Sequence, residues 1–247
     1  AFKKGDMKTA GECLERALRL LGQRVPRGMF SMVSRLICEA LVQSLHSMLP
    51  RLFLHRRDLA HAEAELIKIR LFRRLSYAYW FRQGTLPALW AHLRGMNMAE
   101  RFPPTLELAY AYANHGPAMS AIPWFARGHK YAEKSLQIRE EFGDTWGRAH
   151  SLSFHGMVFH AEGRFAECIE QCREAIRLFE RTGDYWEITT ARYEIALSLY
   201  RLGDLRGAVA EAQRTRRMGL DHGDDQASGM SLDVWVRASR GQVRAET

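Results

Sequence analysis

A Gly-Asp pair recurs every 40 residues in this chain, and this period constrains the fold more than any other feature of the sequence. The pair stands at Gly143-Asp144, Gly183-Asp184 and Gly223-Asp224, and single glycines lie midway at Gly163 and Gly203. A fixed period between about 20 and 50 residues is typical of stacked repeats, whose units cannot bury their apolar faces alone. The sequence therefore predicts an array of similar units rather than a globule built around one central site.

Between these glycines, apolar residues fall at the spacing of one helical face. One stripe runs through residues 149–161 and another through residues 165–179, and no β-branched run alternates with period two. We therefore predict two antiparallel helices in each 40-residue unit. Gly163 and Gly203 are expected in the turn between them, because glycine adopts a left-handed backbone at low cost. Each repeated aspartate is expected to cap the next helix.

Small residues recur where the two helices of a unit would cross. They are Ala149, Gly156, Cys168 and Ala175 in one unit, and Ala196, Ala208 and Ala212 in the next. This pattern resembles the tetratricopeptide repeat (TPR), although the period of 40 residues exceeds that family's usual 34. The resemblance implies an all-α fold, namely a right-handed α-α superhelix (a TPR-like solenoid) of antiparallel helix pairs.

The repeat phase predicts a single α-solenoid domain over residues 1–247, which we expect to be a fragment of a longer protein. Its segments are a truncated repeat at 1–22 that includes Gly5-Asp6, a linker with an apolar helix at 23–57, a degenerate repeat at 58–102, repeats at 103–142, 143–182 and 183–222, and the start of a further repeat at 223–247. The apolar helix is expected over Phe30–Leu49, and Pro50 should end it. Pro117 and Pro123 predict an early helix end or a kink in the repeat at 103–142.

The order of segments also resembles the helical region that follows the ATPase module in large bacterial signalling proteins. In those proteins an AAA- or STAND-type ATPase is joined to a kinase, a nucleotide cyclase or a DNA-binding output. The resemblance rests on Arg51–Arg57, on Tyr77-Ala78-Tyr79-Trp80 and on the 40-residue units. It implies a non-catalytic regulatory and protein-binding region, and the chain itself contains no GxxxxGK[ST] or GxGxxG phosphate loop.

The composition of the chain limits its cellular location and the classes of partner that it can bind. Four scattered cysteines are too few for a disulfide framework, so we expect a reducing, cytoplasmic location. No uncharged apolar stretch has the length of a transmembrane helix. The net charge of +8 is uneven, because residues 1–102 hold 18 of the 36 basic residues and 8 of the 28 acidic ones.

A possible zinc motif lies in the repeat at 143–182. Cys168 and Cys172 are four residues apart on one helical face, and His160-Ala161-Glu162 lies just upstream. The His-x-Glu pattern is similar to that of zinc deaminases, but those enzymes need Cys-x-x-Cys. Because both cysteines fall at crossing positions of the repeat, we interpret them as buried packing residues and predict no metal and no cofactor. Stoichiometric zinc that is lost in Cys168→Ala would contradict this interpretation.

Two histidines, His115 and His155, stand at the same phase of adjacent repeats. They could form a pair of ligands on neighbouring first helices, or mark a helix-packing position that tolerates imidazole, which is the interpretation we favour. No Ser/His/Asp or Cys/His set indicates a catalytic site.

A basic patch is expected near the phase break. Its members are Arg51, Arg56, Arg57, Arg70, Arg73 and Arg74. Solvated helix faces explain such a cluster most simply, an acidic partner domain is the second explanation, and nucleic acid is the third. Neither a helix-turn-helix nor interleaved aromatic and basic residues support nucleic-acid binding.

The TPR resemblance implies that the first helix of each unit lines a concave groove. Carried over by position, the groove residues are Tyr110, Asn114, His150, Phe154, Met157, His160, Tyr193, Glu194, Leu197, Tyr200, Arg201 and Trp235. This set is rich in aromatic side chains, which are common contact anchors. We therefore predict a groove for an amphipathic helix or peptide segment, either from a partner protein or from the parent chain. The alternatives are an effector-sensing region of a DNA-binding regulator and a small-molecule or metal site of an enzyme.

Overall fold

The computed structural model describes residues 7–239, and this part of the chain forms twelve α-helices without a β-strand. In chain order they are α1 (Met7–Leu20), α2 (Met29–Met48), α3 (Pro50–Phe53), α4 (Glu63–Arg82), α5 (Thr85–Ala99), α6 (Leu106–Ser120), α7 (Phe125–Glu141), α8 (Thr145–Glu162), α9 (Phe165–Thr182), α10 (Tyr185–Arg201), α11 (Leu205–His222) and α12 (Asp225–Ala238). The predicted all-α class of antiparallel helix pairs is confirmed. Gly5-Asp6 and the end of the further repeat, residues 240–247, lie outside the described residues.

The chain divides into two compact units, residues 1–112 and 113–247, with the boundary inside α6. In the N-terminal unit, α1 packs against α4, α4 against α5, and α5 against α2. The core contains large buried side chains such as Phe72, Leu75 and Trp90. The segment that breaks the repeat phase follows α1 and contains α2, which packs on α5. After this segment the chain continues into α4, which packs beside α1.

Polar side chains join α2 to α5. His46 Nδ1 lies 2.7 Å from Glu100 Oε2, and both residues are buried. Asn97 Nδ2 donates to the carboxylate of Glu39 at 2.8 Å. Several apolar side chains of α2 are exposed instead, namely Phe30, Ile37, Leu41, Leu45 and Met48.

In the C-terminal unit, helices that are consecutive in the chain pack against each other from α7 to α12. The five periodic glycines between helices adopt a left-handed backbone, with φ of 61° at Gly143, 87° at Gly163, 71° at Gly183, 83° at Gly203 and 64° at Gly223. The aspartates of the three Gly-Asp pairs cap α8, α10 and α12 by accepting from Gly147, Glu187 and Ala227. The predicted roles of the repeated residues are thus confirmed.

Small residues bring the paired helices close together. A Cβ atom added at Gly156 would lie 2.7 Å from Cys172 Sγ, and one added at Gly116 would lie 3.4 Å from the Gly128 carbonyl oxygen. Helix α6 continues one turn past Pro117 and ends at Ser120, so it has 15 residues where α8 has 18. None of the helices in residues 7–239 is long and apolar enough to cross a bilayer.

Candidate functional site

The first helices of successive repeats lie side by side in the C-terminal unit, because α10 contacts both α8 and α12. Tyr193, Leu197 and Tyr200 follow one face of α10 at i, i+4 and i+7, and all three are half-buried. Trp235 of α12 is half-buried as well, and the four side chains pack against the same small-residue core. Their apolar bodies are therefore fixed, while their outer edges remain accessible.

On α8, the predicted groove residues differ in exposure. His150 is fully buried and stacks between Trp146 and Phe154, with ring centroids 5.4 and 4.2 Å apart. Phe154 and Met157 are half-buried. His150 can therefore support the position of Phe154 but cannot itself meet a partner in this conformation.

The other predicted groove residues are spread between the two units. In the N-terminal unit, Tyr110 is half-buried beneath Arg73, whose guanidinium carbon lies 4.0 Å from the ring centroid. In the C-terminal unit, Asn114 is half-buried in α6, and Arg201 is exposed at the end of α10.

A polar cluster of different chemistry lies where α8, α9 and α10 meet. It consists of His160, Cys168 and Glu194, whose potential ligand atoms all lie within 4.8 Å of one another. Ser198, which is fully buried, places its Oγ 2.8 Å from His160 Nδ1. The ring of Phe165 meets the imidazole edge-on at 5.2 Å. Each of three helices in two adjacent repeats thus contributes one ionisable side chain to the same point.

The surroundings shift the proton equilibria of this cluster. Hydrogen bonds from Cys172, His160 and Ser198 lower the pKa of Cys168, which favours its thiolate. The hydrogen bond to Cys168 and burial both raise the pKa of Cys172, so this thiol stays protonated. Burial, followed by the charge of Cys168, raises the pKa of Glu194 to about 7.

The two cysteines therefore have different surroundings. Cys172 is buried against Gly156, in agreement with the packing interpretation. Cys168 is equally buried but also belongs to the polar cluster. Glu162, the acid of the His-x-Glu pattern, is engaged elsewhere, since it accepts from His129 Nε2 at 2.8 Å.

His115 and His155 both contact α7. His115 meets Tyr131 edge-on at 4.6 Å, and His155 Nε2 lies 2.8 Å from His129 Nδ1. Burial, with the charges of His129 and Arg164, lowers the pKa of His155 to about 4. Both residues occupy buried packing positions, as the favoured interpretation expects.

The predicted basic patch belongs to two segments of the N-terminal unit. Arg51, Arg56 and Arg57 are exposed in and after α3, and Arg70, Arg73 and Arg74 share one face of α4. Arg70 pairs with Glu107 at 2.7 Å, and Arg73 lies on Tyr110. These two guanidinium groups are already engaged within the unit.

A shallow cleft lies between α10, α11 and α12. Trp186, Thr190, Tyr193 and Met230 contribute to its lining, and its empty volume is about 200 Å³. This volume includes open solvent, and the cleft encloses no cavity. It therefore lends no support to the alternative of a small-molecule site.

Comparisons with known proteins support the fold. No protein-family model matches the sequence, and no curated protein matches it at a significant level. Among solved structures, the chain is similar to a signal transduction ATPase with numerous domains (STAND) protein with a tetratricopeptide repeat sensor from Pyrococcus horikoshii, with a TM-score of 0.53 and 14% identity. The match covers 97% of this chain and 35% of that one, so this chain spans about a third of its length. The fold is that of a helical repeat array of the TPR type.

The sequence predicted His160 and Glu194 as groove residues and Cys168 as a packing residue, but it did not predict that the three would meet. Ser198 was missed entirely. A usable signal was present in the period, because the contact between His160 and Ser198 spans 38 residues, as does the hydrogen bond from Trp146 Nε1 to Asp184. Looking about 40 residues further along the chain from each polar residue would have identified such neighbours.

Proposed function

We propose that this chain is a non-catalytic regulatory module of a multidomain signalling ATPase, and that it binds an amphipathic helix or apolar peptide segment. The observation that carries the proposal is the half-buried face formed by Tyr193, Leu197, Tyr200 and Trp235. It lies on first helices of adjacent repeats, which is the face where a TPR array would hold its ligand. The similarity to a protein with a TPR sensor supports the same assignment.

The chemistry of this face suits a helical or extended apolar ligand. Tyrosine and tryptophan offer large contact areas at low entropic cost, and their polar tips retain hydrogen-bonding capacity. The i, i+4, i+7 spacing on α10 provides a row of anchors that an amphipathic helix can match along its own apolar face. Arg201, exposed at the end of the row, supplies a cationic rim that favours an acidic residue at one end of the ligand.

Regulation would follow from the repeat architecture. Each helix pair contacts mainly its neighbours, so a ligand that spans α8, α10 and α12 couples their relative positions. A change in their spacing would then reach an adjoining catalytic domain of the parent protein. The proposed setting is the cytoplasm, in keeping with four free cysteines.

Site-specific photo-crosslinking tests the proposed surface. A photoreactive phenylalanine analogue at Leu197 of the full-length protein should crosslink in cells to one discrete segment, which mass spectrometry would identify. The same analogue at Leu220, an exposed position of the second helix α11, is the control and should give no such product.

Tyrosine variants then test which side chains bind. Tyr193→Ala combined with Tyr200→Ala should lower the crosslinking yield at Leu197 at least about tenfold, since two anchors are lost. Tyr185→Ala, at the exposed start of the same helix, should leave the yield unchanged. Equal yields at Leu197 and Leu220, or an unchanged yield in the double variant with intact helical content, would refute the surface.

A further inference from the structure

Three helices bring one potential metal ligand each to a single point of the C-terminal unit. His160 lies near the end of α8, Cys168 in the first turns of α9, and Glu194 in the middle of α10. We propose that these three side chains form a binding site for one divalent transition-metal ion, and that Zn²⁺ is the ion best suited to it. The proposal goes beyond peptide binding and does not depend on it.

The spacing of the ligand atoms supports this assignment. All three lie within 4.8 Å of one another. In a tetrahedral zinc site, bonds of about 2.0–2.3 Å place ligand atoms roughly 3.3–3.8 Å apart. Side-chain rotations that move each ligand atom by about 1 Å would therefore bring all three atoms within bonding distance of one ion, without movement of the helices.

The donor types select the metal. An imidazole nitrogen, a thiolate sulfur and a carboxylate oxygen are each ordinary zinc ligands, whereas Mg²⁺ and Ca²⁺ favour sets made of oxygen alone. Cysteine binds metal as its thiolate, and Cys168 places its sulfur within 4.8 Å of the other two ligand atoms. Three protein ligands leave the fourth position of a tetrahedral ion open to water or to a ligand from outside.

Neighbouring residues support the ligands as an outer shell. Ser198 is fully buried, and its Oγ lies 2.8 Å from His160 Nδ1. A hydroxyl on α10 thereby orients the ligand from α8. Such outer-shell contacts typically change metal affinity about 10–100-fold.

Glu194, and not Glu162, is the acid that completes the set. The carboxylate of Glu162 is shared by His129 and Arg164. Among the residues that the structure describes, none donates a hydrogen bond to Glu194, and the electrostatic effects on the pKa of its carboxyl come from Cys168 and His160. A half-buried acid without a donor next to a thiol favours a bound cation, because the ion neutralises both groups.

Metal titration of the full chain tests the site. After treatment with a chelator, the protein should take up one equivalent of Zn²⁺ in competition with a chromophoric chelator. Cys168→Ser and Glu194→Gln should each weaken the affinity by about 100-fold or more, because loss of a direct ligand costs more than loss of an outer-shell contact. Cys38→Ser and Glu170→Gln are matched controls at exposed positions and should bind as the unchanged protein does.

Cobalt provides a second measurement that requires no variant. Co²⁺ in this site should show a thiolate-to-metal charge-transfer absorption together with the intense visible bands of tetrahedral coordination. The proposal is overturned if the unchanged protein binds no zinc at micromolar concentration, or if its cobalt complex lacks the thiolate band. Equal zinc affinity in Cys168→Ser and Glu194→Gln would also overturn it, because the ion would then lie elsewhere.

Discussion

Some polar side chains of the C-terminal unit meet partners about one repeat away, as Trp146 does with Asp184 and His160 with Ser198. His160 stands two residues from Glu162, yet its hydrogen bond is with Ser198, 38 residues further along. The reason is geometric, since the period of the array places equivalent turns of neighbouring first helices side by side. A motif search along the chain finds the His-x-Glu pattern and overlooks Glu194, which completes the proposed metal site.

Glu187 provides a pH-dependent test at the same scale. It is buried at the start of α10, and burial, followed by the charge of Asp184, raises its pKa from 4.5 to about 8. The folded protein therefore holds a proton that the unfolded chain releases above pH 4.5. The raised pKa therefore makes stability depend on pH. The contribution of protonated Glu187 to the free energy of unfolding is fully present below pH 4.5, falls as the pH rises above 4.5 and is lost as the pH rises through 8.

We expect Glu187→Gln to stabilise the protein, relative to the unchanged protein, more at pH 8 than at pH 5, because glutamine cannot ionise. The gain should exceed about 1 kcal/mol, the equivalent of roughly one pKa unit. Urea denaturation at both pH values measures it, and Glu180→Gln on the exposed face of α9 serves as the control. A gain of equal size at pH 5 and pH 8 would contradict the raised pKa.

At the scale of helices, a few small residues decide how closely two helices approach. Helix α8 packs against α9 through Gly156, where an added Cβ would lie 2.7 Å from the sulfur of buried Cys172. Gly229, in α12, is the natural comparison because no heavy atom lies within 4 Å of an added Cβ there. The two glycines share helical backbone and differ only in their surroundings.

Gly156→Ala should therefore lower the free energy of unfolding by about 1–3 kcal/mol through overpacking. Gly229→Ala should raise it by about 0.5–1 kcal/mol, since alanine is the better helix former. Chemical denaturation gives both values, and adding Cys172→Ala to Gly156→Ala should recover part of the loss. Equal effects at the two positions would show that α8 and α9 do not approach as described.

Helix α2 shows the limit of reasoning from apolar periodicity. Its apolar residues predict a helix, and a helix is present at Met29–Met48. However, polar contacts such as His46 with Glu100 attach it to α5, while Phe30 and Leu41 remain 89% and 61% exposed. Periodicity identifies a helix, but it does not determine which face the tertiary structure covers.

At the scale of the whole molecule, the uneven charge raises the question of nucleic acid. The basic excess lies in residues 1–102, but Arg70 is paired with Glu107 and Arg73 lies on Tyr110. Partly neutralised arginines on two segments form a poor match to a continuous phosphate backbone. This distribution fits solvated helix faces better than a DNA-binding surface.

We therefore expect little binding to duplex DNA at physiological salt, as measured by fluorescence anisotropy with the full chain. Any binding at low salt should depend weakly on salt and should be unchanged when Arg56, Arg57 and Arg74 are replaced by alanine. Arg173→Ala with Arg181→Ala is the control on another surface. Affinity that falls with a log–log slope of about −3 or steeper, and that is lost in the triple variant, would instead indicate phosphate contacts.

The sequence by itself determined the repeat. Gly143, Gly183 and Gly223 fix left-handed turns, and the following aspartates cap helices, because these effects act over only a few residues. The helix pairs and their small crossing residues follow from the same local pattern. The division into two units, the docking of α2 through polar contacts and the meeting of His160, Cys168 and Glu194 were decided only by the tertiary structure. They depend on distances between helices that are separated in the chain, and no local preference of the backbone encodes those distances.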